Sequence, residues 1–136
     1  MKDIHGKCEC GGIEIIIKEY GNFVYTCHCD GCRRINSGPV LSVDPGTSEN
    51  VEFAKGSELI SVYHDDGVER GFCSVCGTTL YWHNPPDDHY CMNAELFDDI
   101  IKEAEFKLEL FYDMKPAYYS FAGERKRLDS NFQEIK

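Results

Sequence analysis

Eight cysteines carry most of the chemistry legible in this chain, and they fall as Cys8-x-Cys10, Cys27-x-Cys29-x-x-Cys32, Cys73-x-x-Cys76 and a lone Cys91. Thiolates at these spacings suit a tetrahedral metal ion, because a tight turn aims both sulfurs inward while its amides donate to them. Glycine follows each proposed pair, Gly11-Gly12 after Cys10 and Gly77 after Cys76, where the turn calls for positive φ. Cys8, Cys10, Cys73 and Cys76 make four thiolates from two distant knuckles, a complete shell for a structural zinc that staples the start of the chain to its middle. Cys27, Cys29 and Cys32 supply three from one loop, which leaves a tetrahedral ion an open position, the arrangement of a catalytic zinc. The rival is closure of that position by a remote residue, with Cys91, His28, His64, His83 and His89 as candidates.

Two other uses of the cysteines fit less well. A disulfide framework belongs to secreted chains, and the N-terminus has no apolar stretch of signal-peptide type. An iron–sulfur cluster would draw three thiolates from Cys27, Cys29 and Cys32, but the longer cysteine runs usual for such clusters are missing. Cys91, alternating with Tyr90 and Met92, reads as a packed thiol, and His28, between two ligands, is expected to point outward. Trp82, Tyr112, Tyr118 and Tyr119 read as core or pocket wall.

The elements that hold these residues read as one mainly β domain. At 136 residues a single core is expected. Short β-branched and aromatic runs mark strands at Ile13–Lys18, Phe23–Thr26, Val40–Val43, Leu59–Tyr63, Thr79–Trp82, Tyr90–Asn93 and Phe106–Phe111. Turns fall at Gly21-Asn22, Pro45-Gly46, Asp65-Asp66-Gly67 and Pro85-Pro86-Asp87-Asp88. Only Ala94–Ala104 has a helical period, with Leu96, Ile100 and Ala104 four apart and Phe97 and Ile101 beside them. No segment reaches the ~18 apolar residues of a membrane helix, so a soluble, cytoplasmic protein is expected. A net charge of −10 repels phosphate backbones and argues against nucleic acid as a partner. Positive charge is local: Arg33-Arg34, which reads equally as a holder of a small anion or as solvated surface, and Arg125-Lys126-Arg127, which reads as solvated surface.

The series Gly6-Lys7-Cys8-Glu9-Cys10-Gly11, Cys27-His28-Cys29-Asp30-Gly31-Cys32-Arg33-Arg34 with Ser37-Gly38, and Phe72-Cys73-Ser74-Val75-Cys76-Gly77-Thr78 resembles the glutathione-dependent formaldehyde-activating enzyme family, which also includes centromere protein V. Lys115-Pro116-Ala117-Tyr118-Tyr119 resembles the family's Lys-Pro-x-Trp-Tyr segment, with tyrosine in place of tryptophan. The resemblance covers residues 4 to 122, one domain, and leaves 123–136 as a C-terminal tail. It implies a β-tent fold with zinc-binding knuckles and little helix, a structural zinc on Cys8, Cys10, Cys73 and Cys76, and a catalytic zinc on Cys27, Cys29 and Cys32.

The activity it implies is addition of glutathione to formaldehyde, a carbon–sulfur lyase reaction read backwards. The expected function is therefore a zinc-dependent lyase acting on a thiol adduct, with Arg33 or Arg34 steering a carboxylate and Arg70 next in line. Two alternatives stand beside it: a non-enzymatic module that binds glutathione or another thiol, and a structural two-zinc scaffold.

Overall fold

The computed structural model describes residues 3–136, the side chains of residues 99–101 excepted. Strands β1 (Ile4–Lys7) and β2 (Glu14–Ile17) lead into β3 (Phe23–Cys27), helix α1 (Asp30–Asn36) and β4 (Val40–Gly46). Then come β5 (Val51–Lys55), β6 (Ile60–Asp65), β7 (Val68–Cys73), β8 (Thr79–Asn84) and β9 (His89–Asn93). Helix α2 (Asp98–Glu103), β10 (Glu105–Leu110) and the short β11 (Lys126–Arg127) complete the order. Among these residues no helix is long and apolar enough to cross a membrane.

The strands form two sheets. A small one runs β1-β2-β5, and a large one runs β11-β10-β3-β4-β9-β8-β7-β6. All pairings are antiparallel except β10 with β3 and β10 with β11. The core lies between the sheets, where Ile13, Ile15 and Ile17 around β2 meet Val43, Leu80, Met92 and Phe97. These seven are fully buried, and burying each such aliphatic or aromatic side chain contributes about 1.5–3 kcal/mol.

The seven expected strands are present, and four more join them. β1 and β7 were not legible because His5, Gly6, Glu69, Arg70 and Gly71 have weak strand preference on their own. Partners supply what propensity lacks: Arg70 Nε donates to Asp65 at 2.8 Å across the β6–β7 hairpin, and Glu69 bonds His83 on β8 at 2.8 Å. The helical stretch at 94–104 is broken in two, a 3-10 turn at Ala94–Leu96 and then α2, with buried Phe97 between them. The side chains of Ile100 and Ile101, expected on one helix face, lie outside the described residues, as do Met1 and Lys2. A second helix, α1, replaces the expected loop around Cys29 and Cys32.

Candidate functional site

The first cysteine cluster joins the end of β1 to the end of β7. In each knuckle the chain turns back on itself, with Gly11 N donating to Cys8 O at 3.0 Å and Gly77 N to Cys73 O at 2.8 Å. Both glycines sit at positive φ, +77° and +80°, where any other residue would be strained. The four sulfurs of Cys8, Cys10, Cys73 and Cys76 lie within 4.8 Å of one another. Amides of Ile13, Gly12 and Cys76 point at the sulfurs of Cys8, Cys10 and Cys73 at 3.3, 3.4 and 3.4 Å. The Thr78 hydroxyl bonds the Cys76 sulfur at 3.1 Å and accepts from Glu9 N, tying one knuckle to the other. This donor set fits a soft cation: N–H and O–H groups converge on sulfurs as they do around metal-bound thiolates.

The second cluster is built at the junction of β3 and α1. Cys27 ends the strand, Cys29 caps the helix by accepting from Cys32 N at 3.4 Å, and Cys32 lies in its first turn. Their three sulfurs are again within 4.8 Å of one another, and no histidine, carboxylate or Cys91 sulfur among the described residues joins them. His83 is held between Glu69 and Asp88, both at 2.8 Å, and His89 is paired with Asp44 at 2.8 Å. Hydrogen bonding with Cys29 and Cys32 drives the Cys27 thiol far up, while hydrogen bonds from Cys27 and Cys32 hold Cys29 down to about 2. Three sulfurs this close cannot all be thiolates without a cation among them, so this set too fits a metal.

The three cysteines open onto a cavity of about 460 Å³. Alternation along β3 sends Phe23, Tyr25 and Cys27 to its wall, while β10 adds Leu108 and Leu110. Arg70, 8% exposed, reaches the same cavity from β7 and lies against α1, where a Cβ on Gly31 would come 3.2 Å from its Nη2. Its charge offsets that of the Cys29 and Cys32 sulfurs. Arg33 instead donates to Asp30 and, at 2.9 Å, to the His28 carbonyl, and Arg34 is exposed on α1. Of the three candidate arginines it is Arg70 that lines the cavity. Cys91 lines it as well, and burial pushes its thiol up to about 12.

The family model described as glutathione-dependent formaldehyde-activating enzyme matches residues 3–114. The chain belongs to that family. An uncharacterized lyase of Schizosaccharomyces pombe is 33% identical over 131 residues, 91% of this chain and 89% of the yeast protein. A crystal structure of a Rhodobacter sphaeroides protein matches with a TM-score of 0.60 and 21% identity, over 76% of this chain and all of the other, a likeness of fold.

Two expectations are corrected around this family centre. His28 does not point outward: it is fully buried, with Nε2 2.7 Å from Glu109 Oε1 and Nδ1 2.6 Å from the Tyr119 hydroxyl. Burial outweighs the pull of Glu109 and lowers the histidine's proton affinity, so the ring is neutral. Burial alone would raise Glu109, but hydrogen bonds from His28, Arg125 and Arg127 outweigh it and keep the carboxylate ionised. Nε2–H therefore donates to Glu109, and Tyr119 O–H donates to Nδ1. The second correction concerns Arg125 and Arg127, which are not solvated surface. They bond Glu109 Oε2 at 2.6 and 3.1 Å, and Arg125 stacks over Phe106 at 4.1 Å. Sequence reasoning missed this buried chain because its members lie 81 to 91 residues from His28 or near the C-terminus. Only the Lys-Pro-x-Tyr-Tyr segment hinted at Tyr119.

Proposed function

We propose that this protein is a zinc-dependent carbon–sulfur lyase acting on glutathione adducts, with S-hydroxymethylglutathione the adduct that the family name implies. The observation that carries the reading is that three cysteine sulfurs, and no fourth protein ligand among the described residues, face a cavity of substrate size. In this reading Cys27, Cys29 and Cys32 hold the catalytic zinc, and Cys8, Cys10, Cys73 and Cys76 the structural one. Held by these three thiolates, a zinc would supply an open coordination position that favours the thiolate form of a thiol.

The chain's own groups have separate tasks. Arg70 offsets sulfur charge at the cavity wall, where its own charge is available to an anionic thiol. His28 is a positioning residue. Its backbone N–H donates to Leu110 O at 2.9 Å and its ring is fixed at both nitrogens, so the Cys27–Cys29 segment cannot swing. Both ring nitrogens are engaged and His28 is not among the residues lining the cavity, so the ring holds the segment and does not reach the adduct.

The test is turnover of S-hydroxymethylglutathione by protein carrying two zinc ions per chain. Cys29→Ser should retain one zinc and lose turnover. Intact zinc-loaded protein that binds glutathione without any effect on adduct breakdown would leave a thiol-binding module in place of a lyase.

A further inference from the structure

The cavity is more apolar than glutathione and a one-carbon aldehyde require. At about 460 Å³ it falls in the usual range for drug-sized ligands, roughly 300–1,000 Å³, which is room for a glutathione adduct, but the carboxylates and amides of glutathione do not match walls of carbon. Phe23, Leu108, Leu110, Phe111, Trp82 and Phe132 are among its walls. A void of this lining beside a thiolate cluster is a place for carbon atoms.

Two of these walls are built against conformational preference. Phe111 and Phe132 have φ of +53° and +59°, a region that bulky residues avoid. Such strain persists only where the surroundings over-determine it, and it gathers at ligand clamps. Here the determinants are visible. Asp129 Oδ1 accepts from the amides of Asn131 and Gln133 at 2.8 and 3.0 Å, and Ser130 Oγ donates to Asp113 at 2.7 Å. Phe132 N donates to Asp129 O at 2.9 Å, and Ile135 N to Arg127 O at 2.9 Å. This turn brings the Phe132 ring edge-on to Phe111, with centroids 5.7 Å apart. Phe132 is nonetheless 60% exposed, an apolar ring that lines the cavity while water reaches it. It also lies beyond residue 114, where the family match ends.

We infer that the cavity selects glutathione adducts whose carbonyl-derived half is an apolar, ring-sized group, with Phe111 and Phe132 closing over that group. The inference rests on the lyase reading for the reaction but not for the binding. The substrate class is the hemithioacetal of glutathione with an aryl or branched-alkyl aldehyde. On cleavage the adduct's hydroxyl loses its proton and becomes the aldehyde carbonyl, the C–S bond breaks with its electron pair going to sulfur, and the thiolate or its protonated form leaves. Atoms balance as adduct to aldehyde plus thiol, with no oxidant or reductant.

The experiment separates binding from chemistry. S-benzylglutathione and S-methylglutathione, stable thioethers, are titrated into the zinc-loaded protein, following Trp82, the single tryptophan and part of the cavity wall. Turnover is measured in parallel on the glutathione hemithioacetals of phenylacetaldehyde and formaldehyde. The expected result is at least tenfold tighter binding of the benzyl compound, a matching preference in kcat/KM, and a benzyl-to-methyl ratio that falls at least fivefold in Phe132→Ala. Equal affinity, tighter methyl binding, or no binding of either compound overturns the inference. Turnover of the formaldehyde adduct in that case leaves the lyase reading standing. Benzyl preference without turnover of any adduct supports the selectivity and removes the lyase.

Discussion

The two cysteine clusters use one ligand chemistry in opposite structural settings. The first gathers sulfurs from segments far apart, Cys10 and Cys73 being separated by 63 residues, and none of its four cysteines lines the 460 Å³ cavity. The second takes three sulfurs from six consecutive residues and places all of them on the cavity wall. A metal that closes a long loop removes much conformational freedom from the unfolded chain, whereas one bound within a preformed turn removes little. The first cluster should hold the fold and the second should do chemistry on it.

The sharpest way to break that comparison is to remove one sulfur from each. Structural zinc sites contribute on the order of 10 kcal/mol, comparable with the whole stability of a domain this size. Cys73→Ser should therefore be insoluble or unfolded, with its thermal transition lost. Cys29→Ser should melt within a few degrees of the parent and carry one metal ion in place of two. Equal unfolding of both variants would show that the second cluster is structural too.

Next in size is the buried chain behind the second cluster. Glu109 is 1% exposed and accepts from His28, Arg125 and Arg127. Removing one partner of a buried charge network costs about 3–5 kcal/mol, because the remaining charges stay buried without a counter-ion. Glu109→Ala should lose that much in denaturant unfolding and also weaken metal retention at Cys27, Cys29 and Cys32, since His28 loses its anchor. Retention of full metal content would confine Glu109 to a packing role and free the second cluster from its support.

The contrast between clusters also explains what the sequence disclosed. Ligand spacing is local information, so Cys27, Cys29 and Cys32 grouped themselves, and the two glycine-flanked knuckles paired because each supplies half a tetrahedral shell. The alternating strands β2, β3, β8 and β9 were legible for the same reason. Contacts across long separations were not. His28 bonds Tyr119 and Glu109 only because parallel β3–β10 pairing sets Cys27 opposite Leu110, and no pattern around any one of these residues announces that. Arg70 sits in a strand of poor intrinsic preference, so its place at the cavity became visible only once β7 was paired on both sides.

Arg70 supplies a third, smaller test. β7 carries both Arg70, at the cavity, and Cys73, in the first cluster, so one strand serves both settings. A charge-assisted hydrogen bond to a bound anion contributes about 1.5–3 kcal/mol. Arg70→Gln should weaken glutathione binding at least several-fold in calorimetry without loss of metal from Cys8, Cys10, Cys73 and Cys76. Arg34→Ala, on the exposed side of α1, should change affinity less than twofold. The reverse ranking would move the anion site to α1.

The smallest effect expected is a pH dependence in the sheet that links the clusters. His83 on β8 bonds Glu69 of β7 and Asp88, stacking on Tyr90 at 4.1 Å. Burial works against charge on His83, but the hydrogen bonds it donates to the two carboxylates outweigh it and raise its pKa above the usual 6.5. Asp88 is held down to about 2 by the Ser48 hydroxyl and His83, so it stays ionised throughout the neutral range. A raised folded pKa means that the protonated form is favoured by folding. Its contribution is fully present below the unfolded value, near pH 6.5, and is lost as pH rises through the folded value. The melting temperature of wild type should therefore exceed that of His83→Gln by more at pH 6 than at pH 9, at constant zinc and ionic strength. Because His83 touches neither cluster, metal content should be the same in both proteins at both pH values. A gap that widens toward pH 9 would mean that His83 stabilises the sheet as a neutral ring. A loss of zinc in His83→Gln would mean that the sheet linking the two clusters is coupled to metal binding after all.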